Sequence, residues 1–128
     1  MLTRNEVGKY SEALLDHFQN PRNAGELHDA NAIVEVTNPV CGDVLKLSAR
    51  IENARIMEIR FLCRGCTAAI ACASLLTELI ADKSRAETAG ITAERLSQNL
   101  GGLPAASFHA ADLAIEALSQ LFQQVHAR

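Results

Sequence analysis

The sequence predicts an α+β domain in which helices pack on one face of an antiparallel sheet. Three observations carry that expectation. Residues Val44 to Ile51 alternate apolar and polar with period two, the mark of a half-buried strand. A second alternating run follows after a short link, and two such runs so joined form an antiparallel hairpin. Beyond them, apolar residues recur at helical spacing to the end of the chain.

Each element follows from local chemistry. Tyr10 to Gln19 reads as a short amphipathic helix, with Leu14, Leu15 and Phe18 on one stripe. Asn20-Pro21-Arg22-Asn23 ends it, because proline has no N–H for the ladder and restricts the residue before it. Ala32 to Thr37 reads as a strand that Asn38-Pro39 breaks, leaving Cys41-Gly42-Asp43 in a loop. In the next strand Leu45, Leu47, Ala49 and Ile51 face one way, and Lys46, Ser48 and Arg50 the other. Glu52-Asn53-Ala54 is the expected turn. Met57, Ile59, Phe61 and Cys63 then face the core, with Glu58 and Arg60 opposite.

Gly65 breaks that strand. Thr67 to Ala81 is expected as a largely buried helix, since Glu78 is its only charge. Thr92 caps a short helix that ends near Gly101-Gly102. A last helix runs from Ser107 or His109 to about Val125, with a stripe of Leu113, Ala114, Ala117, Leu118, Leu121, Phe122 and Val125.

Composition narrows the function classes. At 128 residues the chain fits one domain, 1–128. Apolar residues make up 48%, enough for a real core. A net charge of −3 and a pI near 5.8 offer no basic footprint for nucleic acid. No apolar run reaches the ~18 residues of a membrane span. Met1 to Tyr10 is polar and lacks the apolar region of a secretory signal, so a cytoplasmic protein is expected.

The four cysteines, Cys41, Cys63, Cys66 and Cys72, then point to metal, redox chemistry or buried thiols rather than disulfides. Cys63 and Cys66 form a C-x-x-C pair, but it follows a hairpin and not the βαβ unit of a thioredoxin-like motif. Cys66 lies just before a helix, where unpaired N–H groups and the dipole favour a thiolate and lower its pKa. Cys41 sits beside Gly42, and Asp43 offers a hard oxygen. His109 lies at another helix start. Together, Cys41, Asp43, Cys66 and His109 suit a tetrahedral zinc or an iron–sulfur cluster.

Each residue also has a plainer reading. Cys41 and Asp43 suit an ordinary loop, Cys66 a buried small hydrophobe, and His109 a helix cap. A Cys66–His109 dyad resembles that of a cysteine hydrolase but lacks an orienting partner, so the chain reads as no enzyme.

Beyond these residues, the sequence resembles the IscU/NifU-type iron–sulfur cluster assembly scaffolds. The resemblance rests on Tyr10-Ser11-Glu12, on Asp16 through Asn23, and on Cys41-Gly42-Asp43. It continues in Gly65-Cys66 with the helix through Glu78, and in Leu103-Pro104 with His109. It implies a three-stranded antiparallel sheet, a [2Fe–2S] cluster or iron as cargo, sulfur from a cysteine desulfurase, and delivery to recipient apo-proteins. Some members of the family hold zinc at the same ligands. By resemblance Cys41, Asp43 and Cys66 are ligands or ligand modulators, and His109 is a fourth.

The third motif departs from the family's Leu-Pro-Pro-Val-Lys-x-His-Cys. Ala105 replaces the second proline, Ser107 the lysine, and Ala110 the third cysteine. The lysine segment is what the family's Hsp70-type chaperone recognises, which puts that partner in doubt. Cys63 is the candidate substitute ligand by its spacing from Cys66, although its parity points to the core. Cys72 reads as a core thiol. His17 reads as a surface or capping group, and Arg22 as an anchor or a partner contact. Three functions remain open: a cluster scaffold, a zinc-holding member, and a metal-free docking module in the assembly pathway.

Overall fold

The computed structural model describes residues 10–126, and side chains through residue 124. The N-terminal expectation for Met1 to Lys9 lies outside the described residues, as does the side chain of the stripe position Val125. Helix α1, Glu12–Gln19, is capped by Ser11, whose Oγ accepts from Leu14 N. Strands β1 (Ala32–Thr37), β2 (Val44–Glu52) and β3 (Arg55–Arg64) follow. Helices α2 (Thr67–Ile80), α3 (Arg85–Thr88), α4 (Ala93–Asn99) and α5 (His109–His126) complete the order. A 3-10 turn at Ala105–Ser107 leads into α5.

The sheet has the order β1-β2-β3, antiparallel throughout. Helices α2 and α5 cover one face of it, and α1 lies on α2. The alternation of β2 holds: Leu45, Leu47, Ala49 and Ile51 are buried beneath the helices. Burying each of the larger three, Leu45, Leu47 and Ile51, contributes about 1.5–3 kcal/mol. Ser48, on the opposite face, is buried too, because its Oγ accepts from Leu27 N where the chain crosses it.

Three expectations are corrected. Arg50 pairs with Glu58 but Ile51 pairs with Ile56, so Met57 is the extra residue of a β-bulge. The parity of β3 flips there: Ile56 is buried and Met57 is 38% exposed. The pattern assigns no element between Ala81 and Thr92, yet α3 forms there behind a capping box of Ser84 and Glu87.

The third correction is His17. It is buried, not a surface group. Its Nδ1 lies 2.8 Å from Ser74 Oγ on α2, and its Nε2 lies 3.6 Å from Glu78. Ser74 Oγ also accepts from Arg22 N, and Arg22 reaches Asp16 at 2.7 Å. Arg22 is thus an anchor, tying the segment after α1 to the neighbouring helix.

Candidate metal centre

The loop between β1 and β2 is built by Asn38. Asn38 N donates to Asp43 O, and Asn38 O accepts from Gly42 N, both at 2.8 Å. Its side-chain Oδ1 accepts from Val40 N at 2.9 Å and Cys41 N at 3.4 Å. Gly42 takes φ +78°, a conformation that lets the chain reverse here. The result holds Cys41 exposed at the tip and turns Asp43 inward, buried.

His109 is the first residue of α5, set there by the preceding 3-10 turn. Its Nδ1 is 3.1 Å from Ala106 O. A carbonyl only accepts, so Nδ1 carries the proton and Nε2 of the neutral ring offers its lone pair. That Nε2 is 3.7 Å from Asp43 Oδ2. Among the described residues, Asp43 Oδ2 is buried with no hydrogen-bond partner. One donor atom each of Cys41, Asp43 and His109 lies within 4.8 Å of the others.

Cys66 stands beside this trio and is not part of it. It is the N-cap of α2, and its Sγ accepts from Ala69 N at 3.4 Å. The expected lowering of its pKa is reversed. Burial pushes the thiol up, the charge of Asp43 adds to this, and the amides of the helix end only partly offset it. The environment of Cys66 thus favours the protonated thiol over the thiolate.

Cys63 is not brought into the trio either. Part-buried on β3, it is pushed up to about 12, first by burial and then by the charges of Asp43 and Cys66. Cys72 is fully buried and also pushed up to about 12, as a core thiol should be.

The donor set fits a metal. It offers one thiolate, one carboxylate and one imidazole with a fixed tautomer, plus a second cysteine adjacent. The orphaned carboxylate oxygen is the observation that a metal would explain, because an unpaired buried acceptor costs about 1–3 kcal/mol.

Comparison with known proteins places the fold in a family. The family described as NifU-like N terminal domain matches residues 9–128. The chain belongs to that family. Iron-sulfur cluster assembly scaffold protein IscU 1 of Archaeoglobus fulgidus is 43% identical over 109 residues, 85% of this chain and 71% of its own. The scaffold protein IscU of Aquifex aeolicus is 40% identical over 112 residues, 86% of this chain and 71% of its own. That of Haemophilus influenzae is 35% identical over 123 residues, covering 93% and 97%. A NifU-like protein (N-terminal) from Brucella abortus shares the fold, with a TM-score of 0.77 over 94% of this chain and 96% of that one, at 14% identity.

Within the NifU-like frame, the departures of the third motif have a structural setting. Ala110, at the position of the family's third cysteine, follows His109 on α5 and is 1% exposed. Ser107, at the lysine position, is buried with its Oγ 3.4 Å from the Tyr10 hydroxyl. Ala105 and Ala106 are exposed on the turn. The fixed tautomer of His109, the framing of the loop by Asn38 and the burial of His17 are not legible in residue spacing. Of these, only Asn38-Pro39 carries a local signal, that of an Asx turn.

Proposed function

We propose that this chain is a scaffold-type protein of iron–sulfur cluster assembly. It holds iron or a labile [2Fe–2S] cluster as cargo at Cys41, Asp43, Cys66 and His109. Sulfur comes from a cysteine desulfurase, and the cluster passes on to recipient apo-proteins. The observation that carries this reading is the buried, unpartnered Asp43 oxygen facing Nε2 of a tautomerically fixed His109, with Cys41 alongside. The names of the relatives support it.

Mixed thiolate and imidazole ligation supports a cluster. With Ala110 at the third cysteine position, the set has fewer thiolates and releases its cargo more readily. The chain turns over no substrate of its own in this reading. The reduced thiols suit the cytoplasm. With Ser107 buried, no contact with an Hsp70-type chaperone through this turn is proposed.

A second reading is zinc at the same donors. Three donors of three kinds lie within 4.8 Å, and with Cys66 beside them the residue types are those of a four-coordinate zinc site. The metal content of protein purified without oxygen separates the two. Brown protein containing iron and sulfide supports the scaffold. Colourless protein with zinc supports the second reading, and absence of metal in both isolated and reconstituted protein leaves only a docking role. Cys63→Ser is expected to leave metal affinity unchanged, since its thiol lies outside the trio. A loss of affinity would make it a ligand.

A further inference from the structure

We infer that Gly65 is a positioning residue, the seat that holds the Asp43 carboxylate in the metal centre. The inference rests on the ligand reading above. An ideal Cβ built on Gly65 falls 2.7 Å from Asp43 Cγ, 2.9 Å from Oδ1 and 3.0 Å from Cβ. These are the three nearest atoms, and all belong to one side chain. Gly65 thus leaves a hollow between β3 and α2 that the carboxylate fills.

The glycine is there for space and not for backbone freedom. Gly25, Gly42, Gly101 and Gly102 have positive φ, and Gly65 does not. Its backbone accommodates an alanine, so a methyl group at this position tests the contact alone. Asp43 has little slack to give. Its side chain is one carbon long, buried, and begins at a Cβ already 3.0 Å from the added atom. The carboxylate must move as a unit, away from the place where its Oδ2 meets His109 and Cys41. Gly65 also immediately precedes Cys66, so one residue sets the cysteine at the helix end and the carboxylate beside it.

A double-mutant cycle with zinc as the probe tests this, read by competition with a chromophoric chelator. Gly65→Ala is expected to lower zinc affinity about 10-fold or more, the usual cost of disturbing a residue that orients a ligand. In an Asp43→Ala background the same change should cost almost nothing. The one remaining contact, at 3.0 Å, yields to a shift of a few tenths of an ångström. Equal losses in both backgrounds, or no loss in either, overturn the inference.

A crystal structure of metal-free Gly65→Ala adds a test independent of any metal. Asp43 displaced supports the seat, and Asp43 unmoved overturns it, even if the scaffold reading fails. Should Gly65→Ala alone fail to fold, the Gly65→Ala/Asp43→Ala protein should fold again; if it does not, the inference is wrong.

Discussion

Two histidines of this chain stand beside carboxylates, and only one of the two arrangements is closed. His17 meets Ser74 at one nitrogen and faces Glu78 with the other, while Ser74 also takes the Arg22 N–H. Its partners all come from within the chain. His109 is fixed at Nδ1 by Ala106, yet its other nitrogen faces a carboxylate oxygen that nothing among the described residues satisfies. The folded chain accounts for the first cluster completely. The second leaves one carboxylate oxygen unpaired among the described residues, and a buried polar group so left calls for a partner such as an ion or a water.

The largest expected difference between the clusters is in metal binding. Cys41→Ser should weaken iron or zinc binding by on the order of 100-fold, since in the proposed site it removes a ligand outright and exceeds the usual effect of an outer residue. Ser74→Ala should leave the affinity unchanged. Chelator competition measures both, and a metal loss in Ser74→Ala would erase the distinction.

Stability should reverse the order. Ser74→Ala strips partners from the buried His17 ring and the Arg22 N–H, at a cost of about 1–3 kcal/mol. Asp43→Ala removes a buried carboxylate whose Oδ2 has no hydrogen-bond partner among the described residues, so the metal-free protein should lose less stability than Ser74→Ala does. Urea unfolding of the metal-free proteins checks the pair.

A smaller effect is expected from Ala110→Cys, which places a thiol next to His109 in a buried position. Cluster loss to a chelator should slow, with no change in the His17 network. Faster loss would mean that the added sulfur overfills the helix start.

The smallest effect is a pH dependence of the closed cluster. Burial, followed by the Arg22 charge, holds the His17 pKa below its usual value, with Glu78 and Asp16 opposing. The unfolded chain then binds more protons as pH falls through ~6.5. Stability from this group is present above that pH and is lost as pH falls toward the folded value. The urea midpoint of wild type should therefore drop more between pH ~7.5 and ~5.5 than that of His17→Gln. Parallel curves would show that folding does not shift the His17 pKa.

Much of this fold is legible in the sequence because it is local. The alternation of β2, the break at Asn38-Pro39 and the helix after Gly65 each follow from neighbours in the chain. Met57 was beyond reach because a bulge opposite Arg50 and Ile51 changes parity without a mark in the sequence. Helix α3 did carry a mark, the Ser84 and Glu87 capping box. The burial of His17 depends on where α1 docks on α2, which an eight-residue helix does not announce.

At the site, the residue types point to Cys41, Asp43, Cys66 and His109, whereas the closeness of three of them is a tertiary fact. For Cys66 the helix end suggests an acidic thiol, but burial outweighs it, as the larger of two opposed effects.

Anaerobic reconstitution with ferric iron and sulfide, followed by desalting, tests the central claim most directly. Wild type and Ser74→Ala should retain iron and sulfide with thiolate-to-iron absorption, and Cys41→Ser should lose both. Wild-type protein that leaves the column with neither iron nor sulfide would contradict the account.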